Sequence, residues 1–589
     1  MKRIRSILED RLGFTLAVNI VLLLAALFLF RPFFEENDDL SLALIAEGAF
    51  GKRSPFLIYT NIAYGWLLNV LYTIIPTIRW HCVLQYAAVF LALLAVTYMN
   101  ASSRRGKGLC VVVLLCTFYE LYVSLQYSKT SAFVCLCGYF LLTGDFARGK
   151  GTASKHGTAK SIAGSVLLIF GYALRQDGFL LASIFALVIF IAGLLRRLSA
   201  DRSRIAALFI SWVRALAPAF AVIALLYIVN GLAYGGDPGW KSFIAYNATR
   251  TELIDYRYDL LDYGAHAAEL EELGISENDA LLFLTWQFGD REVFTKEKME
   301  EVLDSPFAKA RAFDLTMAKA FARHLYDDVL SLNPCFLGVV IMAGFYVRSI
   351  AKKRAACPRE RTADFGYGFL PLVLMLLALG FILVFYEYSG RWSHRIVYAA
   401  FTVFIYAALY EISVTDGEDM SGEEESEGEF PGILLGIVTA SVIAVFLGNH
   451  FERNAFYRNE PAYQEFLSAV SKDKERLYVA DTFTFQNSCK YDVFRPLREG
   501  SLDNFVLAGS WYVNSPLTDG LLSGYGYRDP YHALRTGGEG VILVDNVYAD
   551  KKLLCLNEHY PDSYRLEEAG EEAGFHKYVV KKNSGTDRK

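Results

Sequence analysis

Apolar stretches alternate with short polar segments over most of this 589-residue chain. Eleven stretches carry few or no charges and approach the roughly 20 residues that a helix needs to cross a bilayer. They cover residues 13–30, 82–99, 109–123, 131–143, 162–174, 179–195, 205–229, 335–347, 367–385, 396–410 and 433–447. This pattern predicts a polytopic α-helical membrane protein with about 11 transmembrane helices.

The positions of Lys and Arg predict how these helices are oriented. Basic residues precede the first stretch and recur in the connections 104–107, 148–160, 196–204 and 352–361. All of them fall on the cytoplasmic side if the N-terminus is cytoplasmic and the apolar segment 56–76 does not cross the membrane. That segment contains two Asn and one Gly and ends at Pro76, so we expect it to form helices in the outer interface.

An odd number of crossings places the C-terminal part on the outer side of the cell membrane. Three regions then face outward, namely a first outer loop at 31–79, a large outer loop at 230–333 and the segment 450–589. The predicted organisation is therefore a transmembrane domain at 1–449 and an extracytoplasmic domain at 450–589. Two short apolar runs, 477–480 and 541–544, read as buried strands among helix-like segments, which predicts an α/β fold for the second domain.

Composition narrows the class of protein. Hydrophobic residues make up 54% of the chain and the net charge is only -5, so nothing points to nucleic acid as a partner. There is no glycine-rich nucleotide loop. The nine cysteines show no zinc-type spacing, and the pairing of Cys489 with Cys555 is left open.

Charged residues gather at the predicted outer ends of the spans, where basic residues are usually scarce. They are Lys129, Arg175, Asp177, Glu387, Arg391, His394 and Arg395. Arg250 of the large outer loop is a further candidate for the same site, with the alternative that it holds that loop together. Arginine binds phosphate in a bidentate manner and Lys adds a point charge, so the group predicts a site for an anionic substrate. The spacing of Arg391 and Arg395 would place both on one face of a helix. The alternative is internal ion pairing, for example Arg175 with Asp177 or Glu387 with Arg391.

The triplet Asn37-Asp38-Asp39 follows the first span and supplies two carboxylates at the outer surface. Asp38 or Asp39 is a candidate general base or metal ligand. The alternative is that Asn37 or Asp38 caps a helix from 39 to 50 that Gly51 ends. Glu47 lies on the same predicted helix, where we expect a solvated surface position.

A first outer loop with acids directly after the first span, interfacial helices, about eleven spans and an outer C-terminal domain together resemble the C-class (GT-C) membrane glycosyltransferases. Four segments look like those of uncharacterised bacterial members of the superfamily that contains protein mannosyltransferases and aminoarabinose transferases. They are Asn37-Asp38-Asp39, Leu125-Gln126-Tyr127-Ser128-Lys129-Thr130, Leu174-Arg175-Gln176-Asp177-Gly178 and the segment from Gly390 to Arg395. The resemblance covers the chain to about Tyr410, and only the acidic triplet is characteristic of the wider class.

The resemblance implies inverting transfer of a hexosyl or pentosyl group from a polyprenyl-phosphate-sugar donor. The acceptor would be an envelope glycan, a lipid or a protein at the outer face of the bilayer. The first-loop acid acts as general base, or as ligand of a divalent metal ion in some branches, and that role falls on Asp38 or Asp39. The carrier phosphate would meet Lys129, Arg175, Arg391 or Arg395.

Two non-enzymatic classes compete with this prediction. A flippase or transporter of lipid-linked glycans would also span the membrane many times, although such proteins often show paired repeats and helices that are broken near the midplane. Neither feature is evident in this sequence. An envelope assembly scaffold, with the C-terminal domain binding a partner, is the other possibility.

Overall fold

The structure is a computed structural model that describes residues 9–147, 157–200, 205–309, 311–330, 333–356, 362–417, 432–457, 460–487 and 492–583. The basic residues near the N-terminus, parts of three of the basic connections, and Cys489 lie outside the described residues. Whether Cys489 pairs with Cys555 therefore stays open.

Long helices cover every apolar stretch of the first part of the chain. These helices are α1 (Arg11–Phe28), α2 (Asn37–Glu47), α3 (Ile62–Ile74), α4 (Trp80–Asn100), α5 (Arg104–Phe118), α6 (Tyr127–Ala147), α7 (Gly157–Leu174), α8 (Gln176–Ala200) and α9 (Ile205–Gly236). A π-helical turn, Tyr119–Val123, extends α5. After the large loop come α15 (Pro334–Ala356), α16 (Thr362–Tyr388), α17 (His394–Gly417) and α18 (Gly432–Tyr457).

Eight helices of the described chain are long and apolar enough to cross a membrane, and they belong to α1, α4, α5, α8, α9, α15, α16 and α17. The prediction of a polytopic helical membrane protein is therefore confirmed. Predicted stretches 162–174 and 433–447 lie on shorter apolar helices, and 131–143 lies within α6. The number of crossings stays a prediction.

Small residues let α6 lie close to its neighbours. A Cβ atom on Gly138 would meet the backbone of α7 at 2.9 Å, and one on Gly171 would collide with the Cys135 sulfur. Close approach through small side chains is the usual way that membrane helices associate. Cys135 is thus one of the small residues through which α6 packs closely against α7.

Helix α3 has both of its ends against segments that we predict to lie outside. At its start, the Ile62 backbone N–H donates at 2.8 Å to the side-chain oxygen of Asn230, the first residue of the predicted large loop. Near its end, Thr73 accepts a hydrogen bond from Arg53 of the first loop. A helix whose two ends contact the same set of loops fits the interfacial placement expected for 56–76.

The large loop is mostly helical, with α10 (Pro238–Arg250), α11 (Tyr263–Glu272), α12 (Glu277–Leu284), α13 (Lys296–Leu303) and α14 (Leu315–Leu330). The C-terminal part adds α19 (Glu460–Lys472), α20 (Pro516–Gly524), α21 (Pro530–Thr536) and α22 (Ala549–His559). A two-residue parallel pair, β1 (Phe33–Phe34) and β2 (Ser124–Leu125), fixes the start of the first loop against the end of α5.

A five-stranded sheet forms the centre of the C-terminal part. Its strands are β3 (Leu477–Ala480), β4 (Phe505–Leu507), β5 (Val541–Val544), β6 (Tyr564–Glu572) and β7 (Phe575–Lys582), in the order β4-β3-β5-β7-β6. Strands β3, β4 and β5 are parallel and fully buried, while β6 and β7 form an antiparallel hairpin at one edge. Both strands predicted from the sequence are present within this mixed α/β layer.

The three regions predicted to face outward contact one another. Gly500 and Leu502 donate backbone hydrogen bonds to Gly48 and Ala49 at the end of α2. The large loop joins the sheet where Gly289 donates to the carbonyl of Ala508 at 2.9 Å. The first loop, which includes α2 and its acidic triplet, therefore lies in direct contact with the C-terminal part.

Candidate functional site

Helix α2 carries Asp38 and Asp39 in its first turn, where the helix dipole stabilises negative charge. Its N-cap residue is Glu36, and no side chain caps it, so the predicted capping by Asn37 or Asp38 is wrong. The predicted end at Gly51 is also wrong, because Gly48 adopts a left-handed φ of 76° and ends the helix there.

Asp39 is completely buried and links α2 to the neighbouring helices. One oxygen accepts hydrogen bonds from His81 Nε2 and Gln85 Nε2, both at 3.0 Å, and the other accepts from the Tyr127 backbone N–H at 3.3 Å. His81 Nδ1 lies 3.0 Å from the Tyr64 hydroxyl, so the tautomer with a proton on Nε2 satisfies the whole chain of groups. Both oxygens of Asp39 are thus engaged by the protein.

Asp38 has a different environment one residue earlier. Its Oδ2 lies 2.6 Å from a guanidinium nitrogen of Arg395, and each side chain keeps 14% of its surface exposed. Burial raises the pKa of the neighbouring Glu36 carboxyl above its ordinary value, while Arg395 acts in the opposite direction. Of the two acids of the triplet, only Asp38 is open to a ligand.

Glu47 is buried, which contradicts the expected surface position. Its carboxylate lies 2.5 Å from Arg79, whose side chain is buried as well. The backbone N–H of Leu497 donates to Glu47 at 2.9 Å, and Arg79 donates to the carbonyl of Asp492 at 3.0 Å. A charged residue near a helix end suggested solvation, but the C-terminal part covers that end of α2.

Arg175 lies between two aromatic rings at the junction of α7 and α8. Its guanidinium carbon is 5.2 Å from the ring centre of Tyr59 and 5.3 Å from that of Tyr127. It forms a 2.6 Å ion pair with Asp177, whose side chain is 60% exposed. The ion pair named as the alternative interpretation is therefore present, but its acid faces solvent and the arginine side chain is 20% exposed.

Arg250 and Arg391 share one carboxylate. Asp255 lies 3.3 Å from Arg250 and 3.6 Å from Arg391. Arg250 is buried and also donates to the Tyr59 hydroxyl at 3.0 Å, whereas Arg391 is 23% exposed and lies over the ring of Tyr256. Tyr59 therefore links Arg250 to Arg175.

Four arginines thus converge from separate segments of the chain. We call Arg175, Arg250, Arg391 and Arg395, with their partners Asp38, Asp177 and Asp255, the arginine cluster. The charges of Arg175 and Arg395 are close enough to act on each other, and both act on Tyr127. Positive charges that lie close together repel one another, and the repulsion is relieved where carboxylates or a bound anion lie between them.

Arg391 and Arg395 do not lie on one helix face, so that prediction is wrong. Helix α17 begins at His394, and Arg391 belongs to the turn that precedes it. Gly390 turns the chain with a φ of 73°, and a Cβ atom there would collide with Arg311. The two arginines reach the cluster from different backbone directions.

The other predicted site residues have protein partners away from the cluster. Lys129 is buried, and its ammonium group lies 2.7 Å from both Glu35 and Glu120. Burial raises the pKa of Glu35 above its ordinary value, and Lys129 opposes that shift. These contacts satisfy Lys129 inside the protein, so its predicted role toward a phosphate stays untested.

Two further predicted residues pair with the end of α14. Glu387 lies 2.8 Å from His324, not against Arg391 as the ion-pairing alternative suggested. His394 is 68% exposed and lies 3.9 Å from Asp328. Both flank the arginine cluster in the chain, next to the turn that carries Arg391.

The acids of α2 fit a divalent metal ion poorly. Within the described chain, the one group of three or more His, Cys, Asp or Glu side chains with ligand spacing is Asp279, Cys555 and His559, which does not include α2. Asp38 is neutralised by Arg395, and both oxygens of Asp39 already accept hydrogen bonds. We therefore derive no step through a metal at the triplet.

The tyrosines that contact the arginine cluster, Tyr59, Tyr127 and Tyr256, were not predicted as site residues. The chain has 36 tyrosines, and Tyr59 and Tyr127 have no charged neighbour in the sequence, so sequence offered no signal to single them out.

The chain matches no family model and no curated protein, and its structure matches no solved structure.

Proposed function

We propose that this chain is a membrane glycosyltransferase that transfers a sugar from a polyprenyl-phosphate donor to an acceptor at the outer face of the membrane. The observation that carries the proposal is the arginine cluster beside Asp38, at the ends of apolar helices. It combines a phosphate-binding set of cations with a partly exposed carboxylate, which are the two chemical groups that this reaction requires.

The cations of the cluster differ in how available they are to a phosphate. Arg175 and Arg391 are partly exposed, and each lies over a tyrosine ring that fixes its orientation. A phosphate can replace the exposed Asp177 as the partner of Arg175 at little cost, because exposed ion pairs contribute only about 0–1 kcal/mol. Arg250 is buried and instead holds Asp255 in place.

Asp38 is the residue that we assign as general base. In an inverting transfer, the acceptor oxygen attacks the anomeric carbon, and the bond from that carbon to the phosphate oxygen breaks. The polyprenyl phosphate leaves with the electron pair, and Asp38 takes the proton of the acceptor hydroxyl. Arg395 would orient Asp38 before the reaction, and a base must lie within hydrogen-bond reach of the hydroxyl that it deprotonates.

Contacts between loops support the proposed topology. The first loop, the large loop and the C-terminal part contact one another, as is expected of loops on one side of a membrane. At the opposite ends of the helices, Lys107 donates to the carbonyl of Glu9. We propose eleven crossings, a cytoplasmic N-terminus and an extracytoplasmic C-terminal α/β domain.

The test is transfer from a radiolabelled donor in proteoliposomes, using polyprenyl-phosphate hexoses and pentoses with envelope lipids as acceptors. We expect transfer by the unmodified protein, loss of at least about 100-fold in rate for Asp38→Asn, and little change for the exposed control Glu269→Gln. Full activity in Asp38→Asn would remove it as the base. Movement of a lipid-linked glycan across the bilayer without any transfer would favour a flippase.

A further inference from the structure

Three side chains with metal-ligand chemistry meet at a point remote in sequence from the acidic triplet. They are Asp279 of α12, and Cys555 and His559 of α22, and their ligand atoms all lie within 4.8 Å of one another. Asp279 and Cys555 are buried, while the His559 side chain is 23% exposed. The group thus has a dry interior side and one side open to solvent.

The spacing suits a tetrahedral ion. Zinc binds Cys sulfur at about 2.3 Å and His nitrogen or carboxylate oxygen at about 2.0–2.2 Å, which places tetrahedral ligand atoms roughly 3.3–3.8 Å apart. His559 Nε2 is 2.8 Å and 3.0 Å from the two oxygens of Asp279. A movement of less than about 1 Å would therefore open the group to the size of a zinc ion.

The backbone holds the three residues in place. Cys555 and His559 are four residues apart on α22, so they lie on one helix face. Asp279 closes a capping box with Ser276, in which one carboxylate oxygen accepts from the Ser276 backbone at 3.1 Å. The other oxygen has no part in that box and contacts His559 Nε2 at 2.8 Å, so a metal ion between these two ligand atoms would replace only that one contact.

Further contacts fix α12 against α22. Asn278 donates to the carbonyl of Lys551 at 3.0 Å, and the Ser276 hydroxyl donates to Glu558 at 3.0 Å. These hydrogen bonds fix the positions of the large loop and the C-terminal part relative to each other around the three residues. They also add the negative charge of Glu558 to that of Asp279, which favours a bound cation.

We propose that Asp279, Cys555 and His559 bind a zinc ion that joins the large loop to the C-terminal part. The ligand set is one thiolate, one imidazole and one carboxylate, a mixture that suits zinc better than magnesium or calcium. The fourth position faces solvent and is open to water. The proposal does not depend on glycosyl transfer. The alternative is a simple His–Asp ion pair beside an inert buried thiol.

The metal content of the full-length protein in detergent distinguishes the zinc site from the ion pair. The protein is prepared without a histidine tag, kept reduced with a phosphine, incubated with zinc sulfate and desalted before elemental analysis. We expect one zinc per chain in the unmodified protein and at least tenfold weaker binding in Cys555→Ser and in His559→Ala. The controls Cys110→Ser, which lies in a span, and His576→Ala should keep the ion.

Cobalt substitution adds a direct readout of the thiolate. A cobalt-loaded protein should show a thiolate-to-metal charge-transfer band that disappears in Cys555→Ser. If Cys555→Ser does not fold, Asp279→Asn replaces it as the variant that lacks one metal ligand. Asn keeps the size of Asp and one acceptor of the capping box but removes the charge. Absence of stoichiometric zinc from the folded protein, or retention of zinc in both ligand variants, would establish the ion-pair alternative.

Discussion

At the scale of single residues, Asp38 and Asp39 show how neighbouring side chains acquire different roles. They share a sequence motif and a helix turn, yet one lies in a partly exposed ion pair and the other in a closed hydrogen-bond network. Position along a helix explains this difference, because successive residues point about 100° apart. The motif therefore identifies the turn but not which acid of the pair faces a substrate.

We predict that Asp39→Asn destabilises the protein, whereas Asp38→Asn does not. The Asp39 carboxylate accepts with both oxygens, and Asn offers one acceptor, so its amide would face the Tyr127 N–H as a second donor. A buried unsatisfied group costs about 1–3 kcal/mol. Thermal unfolding in detergent measures this loss of stability. Equal unfolding temperatures for Asp39→Asn and Asp38→Asn would contradict the assignment of Asp39 to a structural network.

Arg391 and Arg395 give a second prediction at this scale. Replacing either with Ala should weaken binding of polyprenyl phosphate by about 10-fold or more, since a hydrogen bond to a charged group contributes about 1.5–3 kcal/mol. Lys should restore binding only in part, because it lacks the planar fork of Arg. Arg528→Ala, which removes an exposed arginine paired with Glu292 away from the arginine cluster, is the control.

Unchanged affinity in a folded Arg391→Ala, Arg395→Ala double variant would show that both residues serve internal ion pairs alone. That result would leave the C-terminal zinc proposal intact.

At the scale of helices and strands, sequence predicted more than it did for side chains. All eleven apolar stretches are helical and both apolar C-terminal runs are strands. These elements could be predicted because the length and pattern of apolar residues within a segment are local properties of the sequence. The C-terminal end of α2 and the shared helix face of Arg391 and Arg395 were predicted wrongly. Each depends on a glycine with positive φ, Gly48 or Gly390, whose conformation is set by the segments that pack against it.

The contact between α2 and the C-terminal part gives the third prediction. Glu47→Gln leaves the buried Arg79 without its carboxylate, and breaking a buried pair in this way costs about 3–5 kcal/mol. The nearby pair of Arg53 with Glu499 is partly exposed, so Glu499→Gln should cost less than about 1 kcal/mol. Thermal unfolding and limited proteolysis of the C-terminal part measure the difference between these matched variants.

Equal stability of Glu47→Gln and Glu499→Gln would mean that the buried pair does not fasten the two parts together. A selective loss in Glu47→Gln would also be expected to disturb the acidic triplet, since α2 runs directly from Asp38 to Glu47.

At the scale of the whole molecule, sequence predicted a polytopic helical membrane protein but not how its loops meet. Hydropathy depends on each segment alone, so the membrane helices were recognisable without the fold. The arginine cluster and the group of Asp279, Cys555 and His559 both combine residues hundreds of positions apart. Such long-range contacts leave no spacing pattern in the chain, which is why the sequence suggested single charged residues but no zinc-type motif.

The last prediction concerns which side of the membrane each loop occupies. Single cysteines, introduced on a background without native cysteines, are exposed to a thiol reagent that does not cross the membrane. We choose exposed positions, since a buried one such as Asp39 would not react wherever it lies. Cysteines at Lys52, Ser242 and Ser523 should react from outside, one in each region predicted to face outward, and a cysteine at Ser102 should react only after the membrane is opened.

Reaction at Ser102 but not at the other three positions would invert the topology. Because the three outer regions contact one another, a mixed result among them would contradict the fold itself, while a uniform inversion would place the arginine cluster and Asp38 on the cytoplasmic side, away from an extracytoplasmic acceptor.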